Sequence, residues 1–187
     1  MTLPNRVYMI RHGRASAGWD TALDPDLDDL GRAQSQDVAD QLQPLQLSNI
    51  ITSPLSRCQQ TAEPLAHMWN VLPRVCTEVS EIPSPHGVAM SDRIVWLRNA
   101  MQGTWSDLGQ DYVSYRDQIT DFVRNIKTDT VIFSHFIAIN AVVGGVLGDD
   151  RLVILSLDNC SVTIFERDAT GNLSLVQGGH EADTLIR

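Results

Sequence analysis

Val7-Tyr8-Met9-Ile10-Arg11-His12-Gly13 is the stretch that decides how this chain folds. Four apolar residues in a row, bounded by a glycine, read as a buried strand. The strand delivers an arginine, a histidine and a glycine to its C-terminal end. An imidazole can act as a nucleophile, a guanidinium can clamp an anion through two parallel hydrogen bonds, and a glycine lets the backbone approach a ligand closely. Three residues need partners from elsewhere in the chain.

The same arrangement returns near residue 130. Thr130-Val131-Ile132-Phe133-Ser134 is a second buried strand, ended by His135, and Phe136 to Leu147 is apolar all round, as befits a central helix covered on every side. Between the two, Asn49 to Thr52 is a strand followed by Ser53-Pro54, which reads as N-cap and N1 proline of a helix carrying Arg57 and ending before Pro73. A helix from Asp28 onward, capped by Asp28 or Asp29, repeats Leu30, Ala33, Val38, Leu42 and Leu45. Val75 to Val79 is expected as a third strand, and residues 81 to 87 as irregular, with Pro83, Pro85 and Gly87. Ser91 is a candidate cap for a helix bearing Ile94, Val95, Leu97 and Met101. A polar loop follows, then an amphipathic helix over Tyr112 to Ile126. Val153 to Leu157 is a short strand or an extended approach. Ser161 to Glu166 and Leu173 to Gln177 flank a hairpin turn.

Strands alternating with helices predict an α/β, three-layer fold with a central, mostly parallel sheet and helices on both faces. Ligands bind such sheets beyond the carboxyl ends of their strands. His12, Ser53, Arg57 and His135 all fall there. A chain of 187 residues suits one domain, 1–187, within which residues 82–115 form a substrate-capping insertion.

Composition removes several classes of function. The formal charge is −9, from 14 Lys and Arg against 23 Asp and Glu, which disfavours nucleic acid and anionic membranes as partners. Cys58, Cys76 and Cys160 are odd in number and widely spaced, so neither a disulfide framework nor a zinc signature is present. No secretory apolar region and no membrane-length run occurs, and a cytoplasmic setting is expected. Neither a metal nor an organic cofactor is expected. Oligomeric state is left open, a dimer included.

The chemistry follows from the residue types. Arg11 and Arg57 suit a doubly charged phosphate, unless each pairs with a surface carboxylate. His12 must be neutral to attack phosphorus, and neighbouring arginines depress its pKa. His135 can donate to a phosphoryl oxygen in the transition state, or be a hydrogen-bonded core histidine. A leaving alkoxide needs a proton, for which Glu81 is the first candidate and Glu78 the second.

Arg11-His12-Gly13, the run Ser53-Pro54-Leu55-Ser56-Arg57-Cys58-Gln59-Gln60-Thr61-Ala62, and Ser134-His135 resemble the histidine phosphatase (phosphoglycerate-mutase-like) superfamily. Leu27 to Gln34 resembles that family's Leu-Thr-x-x-Gly-x-x-Gln helix start. The resemblance runs from the N-terminus to about residue 147. It implies His12 as a phosphorylated nucleophile, a pocket of Arg11, Arg57 and His135 with Gly13 beside it, Glu81 as proton donor, and no cofactor. The implied function is metal-independent hydrolysis of a small phosphomonoester. The alternatives are a phosphatase acting on phosphohistidine in a partner protein, and a phospho-ligand-binding module without turnover.

Three positions depart from the family. Arg14 replaces the usual acidic residue or glutamine, and either adds a third cation to the pocket or faces solvent. Ala15 and Gly18 replace a hydroxyl residue and an asparagine, which argues against a mutase. Phe136 stands where glycine usually follows the second histidine, placing its ring beside the substrate. His86, between Pro85 and Gly87, is a candidate for the pocket mouth.

Overall fold

Side-chain alternation along β1 (Asn5–Arg11) sets the layers. The computed structural model describes residues 4–182. Val7 and Met9 enter one core, and Tyr8 and Ile10 enter the other. A strand buried on both faces belongs in the middle of a covered sheet. β1 pairs in parallel with β4 (Thr130–Ser134) and antiparallel with β5 (Val162–Arg167). β2 (Ile50–Thr52) lies parallel to β4, and the two-residue β3 (Arg74–Val75) lies parallel to β2. β6 (Leu173–Gln177) closes the other edge as the second half of a hairpin. The order is β3-β2-β4-β1-β5-β6: a mixed sheet, parallel over four strands, with an antiparallel hairpin at one side.

Helices α1 (Asp29–Leu42) and α2 (Ser56–Trp69) cover the face bearing Tyr8, Ile10, Val131 and Phe133. The other face is covered by α3 (Arg93–Ala100), α4 (Trp105–Leu108), α5 (Gln110–Arg124) and α6 (Phe136–Leu147). α6 is buried on all sides from Phe136 to Gly144, as its unbroken apolar sequence requires. The α/β, three-layer expectation therefore holds.

Register brings the site together. Arg11 pairs with Ser134 and Thr52 with Phe133, so β1, β2 and β4 end at one edge. The next amides continue the ladder: His12 N donates to Ser134 O at 3.0 Å, and Ser53 N to Phe133 O at 3.0 Å.

Several local expectations are corrected. α2 starts at Ser56 rather than Pro54, and its N-cap, Leu55, supplies no side-chain bond. The third strand stops at Val75, and Thr77–Val79 turns into a 3₁₀ segment that buries Val79. Asp92, not Ser91, precedes α3, and Val95 faces solvent. Val153 to Leu157 forms no ladder strand. Leu30 is exposed, and α1 instead buries Gly31, Ser35, Val38, Ala39 and Leu42. The loop expected between Gly103 and Gly109 holds α4, started by a capping box between Thr104 and Asp107 and anchored by the fully buried Trp105.

Candidate active site

His12 follows β1 and is 9% exposed. Its Nδ1 lies 2.7 Å from the carbonyl oxygen of Gly13. A carbonyl only accepts, so Nδ1 carries the ring proton and Nε2 keeps its lone pair. Arg57 Nε donates to that Nε2 at 3.2 Å. Burial, then repulsion from Arg57 and Arg11, holds His12 well below the ordinary histidine value. The ring is thus neutral, with a bare nitrogen beside a guanidinium.

Arg57 sits in the first turn of α2 and is 5% exposed. Its Nη2 lies 3.2 Å from His135 Nδ1, and its buried Nη1 makes no hydrogen bond and stands 3.9 Å from Asp24 Oδ1. Arg11, last residue of β1, donates to Leu157 O at 2.6 Å. Burial pushes its guanidinium down to about 10, still charged near neutral pH. Two buried cations, with Asp24 near Arg57 and the charges of Glu81 and Asp158 acting on Arg11, make a pocket suited to an anion.

His135 is fully buried. Its Nε2 lies 2.8 Å from Ser53 Oγ and 3.3 Å from Cys58 Sγ, and its ring meets that of His12 edge-on at 5.2 Å. Burial first, then Arg57, His12 and Arg11, keep it well below the ordinary value.

Between the two carboxylates the structure separates clearly. Glu81 points to the start of α6, where Oε1 accepts from Ala138 N at 3.2 Å and Oε2 from Ile137 N at 3.5 Å. Oε1 also accepts from Ile82 N at 2.9 Å. Burial raises its pKa, against these amides and the charges of Arg57 and Arg11. A carboxyl held toward its neutral form beside two arginines can donate a proton. Glu78 is exposed and bonds only weakly to Thr77 Oγ1, at 3.5 Å.

Residues 7–177 match the histidine phosphatase superfamily (branch 1). The chain belongs to this superfamily. Over 78 residues it is 30% identical to the probable phosphatase C1687.21 of Schizosaccharomyces pombe, covering 40% of this chain and 37% of that protein. Among solved structures, the mycobacterial glucosyl-3-phosphoglycerate phosphatase Rv2419c superposes with a TM-score of 0.75 at 19% identity, covering 92% of this chain and 97% of that one. The phosphoserine phosphatase of Entamoeba histolytica, solved with 3-phosphoglyceric acid, gives 0.74 at 19%, covering 96% and 98%.

The places where this histidine phosphatase departs from its family are each engaged. Arg14 Nε donates to Asp28 Oδ2 at 2.6 Å, and its amide donates to Gln34 Oε1. Arg14 is thus partly exposed and paired with the side chain that caps α1. Phe136 lies under Arg11, whose guanidinium carbon is 5.0 Å from the ring centre. Gly13 is indeed a point of close approach, but to the chain itself. A Cβ there would stand 2.6 Å from Gly31 O, and its amide donates to Thr61 Oγ1 at 3.0 Å. His86 is exposed in the irregular loop after Glu81.

Other residues escaped the sequence reading. Asp24 accepts from the amide and hydroxyl of Ser56, at 2.8 and 2.9 Å, capping α2 from a distant loop. Gln60 holds the same loop through Leu27 N and Asp26. Asn159 donates to His12 O at 2.9 Å. Trp19, from this loop, packs on Trp96 of α3 at 6.2 Å, and Trp96 packs on Tyr112 of α5 at 5.6 Å. These contacts join segments well separated in the chain, for which a single sequence carries no signal. Among the described residues, no three His, Cys, Asp or Glu side chains converge in a way that could hold a metal. No helix among them is long and apolar enough to cross a membrane.

Proposed function

We propose that this protein is a metal-independent phosphomonoester hydrolase working through phosphohistidine on His12. One observation carries the reading: the His12 proton is fixed on Nδ1 by the Gly13 carbonyl, which leaves Nε2 bare beside Arg57 in a buried, doubly cationic pocket. In the first step Nε2 attacks phosphorus, the ester P–O bond breaks, and the Glu81 carboxyl gives its proton to the leaving alkoxide. In the second, the Glu81 carboxylate takes a proton from water as that water attacks phosphorus. The N–P bond breaks, and phosphate leaves. Arg11, Arg57 and His135 meet the charge on the phosphoryl oxygens.

The substrate is a small phosphorylated molecule, bound under the capping segment 82–115, which contains α3 and α4. Both solved relatives named above bear the names of phosphomonoester phosphatases. Mutase chemistry is unsupported, because Ala15 bridges to Leu27 and offers no polar group for a second phosphate. The chain's composition favours a cytoplasmic setting. The test is a panel of phosphomonoesters with wild type and His12→Ala, each with and without chelator. Wild type should turn over regardless of chelator and trap an acid-labile phosphoryl enzyme, and His12→Ala should be inactive. Activity that vanishes with chelator and survives His12→Ala would overturn the proposal.

A further inference from the structure

Both ring nitrogens of His135 are committed, and the valences of their partners fix where the proton sits. Arg57 Nη2 can only donate, so Nδ1, 3.2 Å away, must be bare. The single proton of the neutral ring is then on Nε2, 2.8 Å from Ser53 Oγ. Ser53 is fully buried and held by its backbone, with its amide on Phe133 O. Its hydroxyl also accepts from Leu55 N at 3.3 Å. The other neighbour of Nε2 is the Cys58 thiol, which donates to Ser134 O at 3.3 Å and which burial keeps protonated, so it brings no charge. The remaining groups around the ring are His12, at 5.2 Å between centroids, with Arg57 and Arg11.

We infer that Ser53 is the positioning residue of His135, fixing the ring proton on Nε2 and leaving Nδ1 as the bare nitrogen that faces Arg57 and the phosphate pocket. The inference rests on the phosphatase reading for its consequence and on geometry alone for the tautomer. The consequence is that the free protein has no N–H on the pocket side of His135. A hydrogen bond from His135 to a phosphoryl oxygen therefore needs a proton that the substrate brings. The phosphomonoester enters as its monoanion, the O–H bond of its P–OH group breaks, and the proton bonds to Nδ1 while the electron pair stays on oxygen. A dianionic phosphoryl group then faces an imidazolium, with total charge unchanged. Arg57 Nη2, released from Nδ1, turns to the phosphoryl oxygens. Ser53 accepts from Nε2–H throughout, so the ring keeps its orientation across the cycle. This sharpens the expected role of His135: it donates only what it has first taken.

The tautomer is read by imidazole ¹⁵N NMR on the whole protein near neutral pH. Wild type and Ser53→Thr should show His135 with a protonated Nε2 and a bare Nδ1, and inorganic phosphate should protonate Nδ1. Ser53→Ala should mix the tautomers and lower kcat about tenfold, with a smaller change in KM. For wild type, kcat/KM should fall about tenfold per pH unit above the second ionisation of a phosphomonoester, near about 6. A free wild type with the proton on Nδ1, or Ser53→Ala with an unchanged tautomer, would overturn the inference, and the wild-type spectrum decides even if the alanine variant does not fold. Protein that holds the Nε2–H tautomer yet neither binds phosphate nor hydrolyses any monoester would sustain the role of Ser53 and remove the phosphatase reading.

Discussion

Arg57 Nε stands 3.2 Å from Nε2 of His12, the nitrogen that the Gly13 carbonyl leaves unprotonated. The same guanidinium reaches His135 through Nη2, so one side chain spaces two imidazoles that follow the ends of different strands. A planar fork with fixed donors can do this, and a single ammonium cannot. Arg57→Lys should therefore lose nearly as much as Arg57→Ala, on the order of 10²–10³ in kcat, the scale of one lost transition-state donor. Steady-state kinetics on one monoester would check this, and a lysine variant near wild type would show that charge alone is enough.

Glu81→Gln should discriminate between leaving groups. An alkoxide needs the proton and a nitrophenolate does not. Loss on an alkyl phosphate should be on the order of 10²–10⁴, the usual worth of general acid catalysis. Loss on 4-nitrophenyl phosphate should be about tenfold or less. Because burial raises the Glu81 pKa, the acid form persists to higher pH than in an ordinary carboxyl, and alkyl turnover should fall as pH rises through that raised value. Glu78→Gln, at an exposed site, should leave both substrates unaffected.

The sequence carried the parts of this site that depend on strand ends. β1 and β4 are legible because unbroken apolar runs stop at a histidine, and Asp28 is legible as a cap because it precedes a helical repeat; its side chain accepts from Gly31 N. Ser53-Pro54 misled for a physical reason: the Ser53 hydroxyl that would cap α2 is turned to His135, and Asp24 does the capping. Thr104-Trp105-Ser106-Asp107 was readable as a capping box, but its short helix hides between two glycines. The roles of Asp24, Gln60 and Trp19 rest on long-range contacts that no local pattern encodes.

Gly31 should tolerate no side chain. A Cβ there would lie 2.1 Å from Arg14 O, a backbone atom that accepts from Asp28 N and whose own residue is held through its amide by Gln34, and a Cβ on Gly13 would in turn stand 2.6 Å from Gly31 O. Gly31→Ala should cost roughly 3 kcal/mol, the upper end of overpacking. Arg14→Ala removes only a partly exposed ion pair and should cost about 1 kcal/mol or less. Urea unfolding of both variants would check the contrast, and equal midpoints would mean the loop can move away from α1.

Acid should destabilise the fold through the histidines. His12 and His135 have folded-state pKa values well below the ordinary one, so the unfolded chain binds more protons between the two values. Their contribution is full above the unfolded value, about 6.5, and is lost as pH falls below it, by at most about 1.4 kcal/mol per pH unit for each ring. Glu81 has the opposite sign: its raised value gives stability present below the unfolded carboxyl value and lost as pH rises through the folded one. That window begins near 4.5, the ordinary carboxyl value, so the two effects separate best between about 5.5 and 7.5 with Glu81→Gln as background. Urea midpoints across that range should fall toward the acid side, and His135→Gln should make the fall shallower by up to one proton. A protein that grew more stable on acidification through this window would contradict two neutral, buried imidazoles, and with them the bare Nε2 on which the proposed attack by His12 depends.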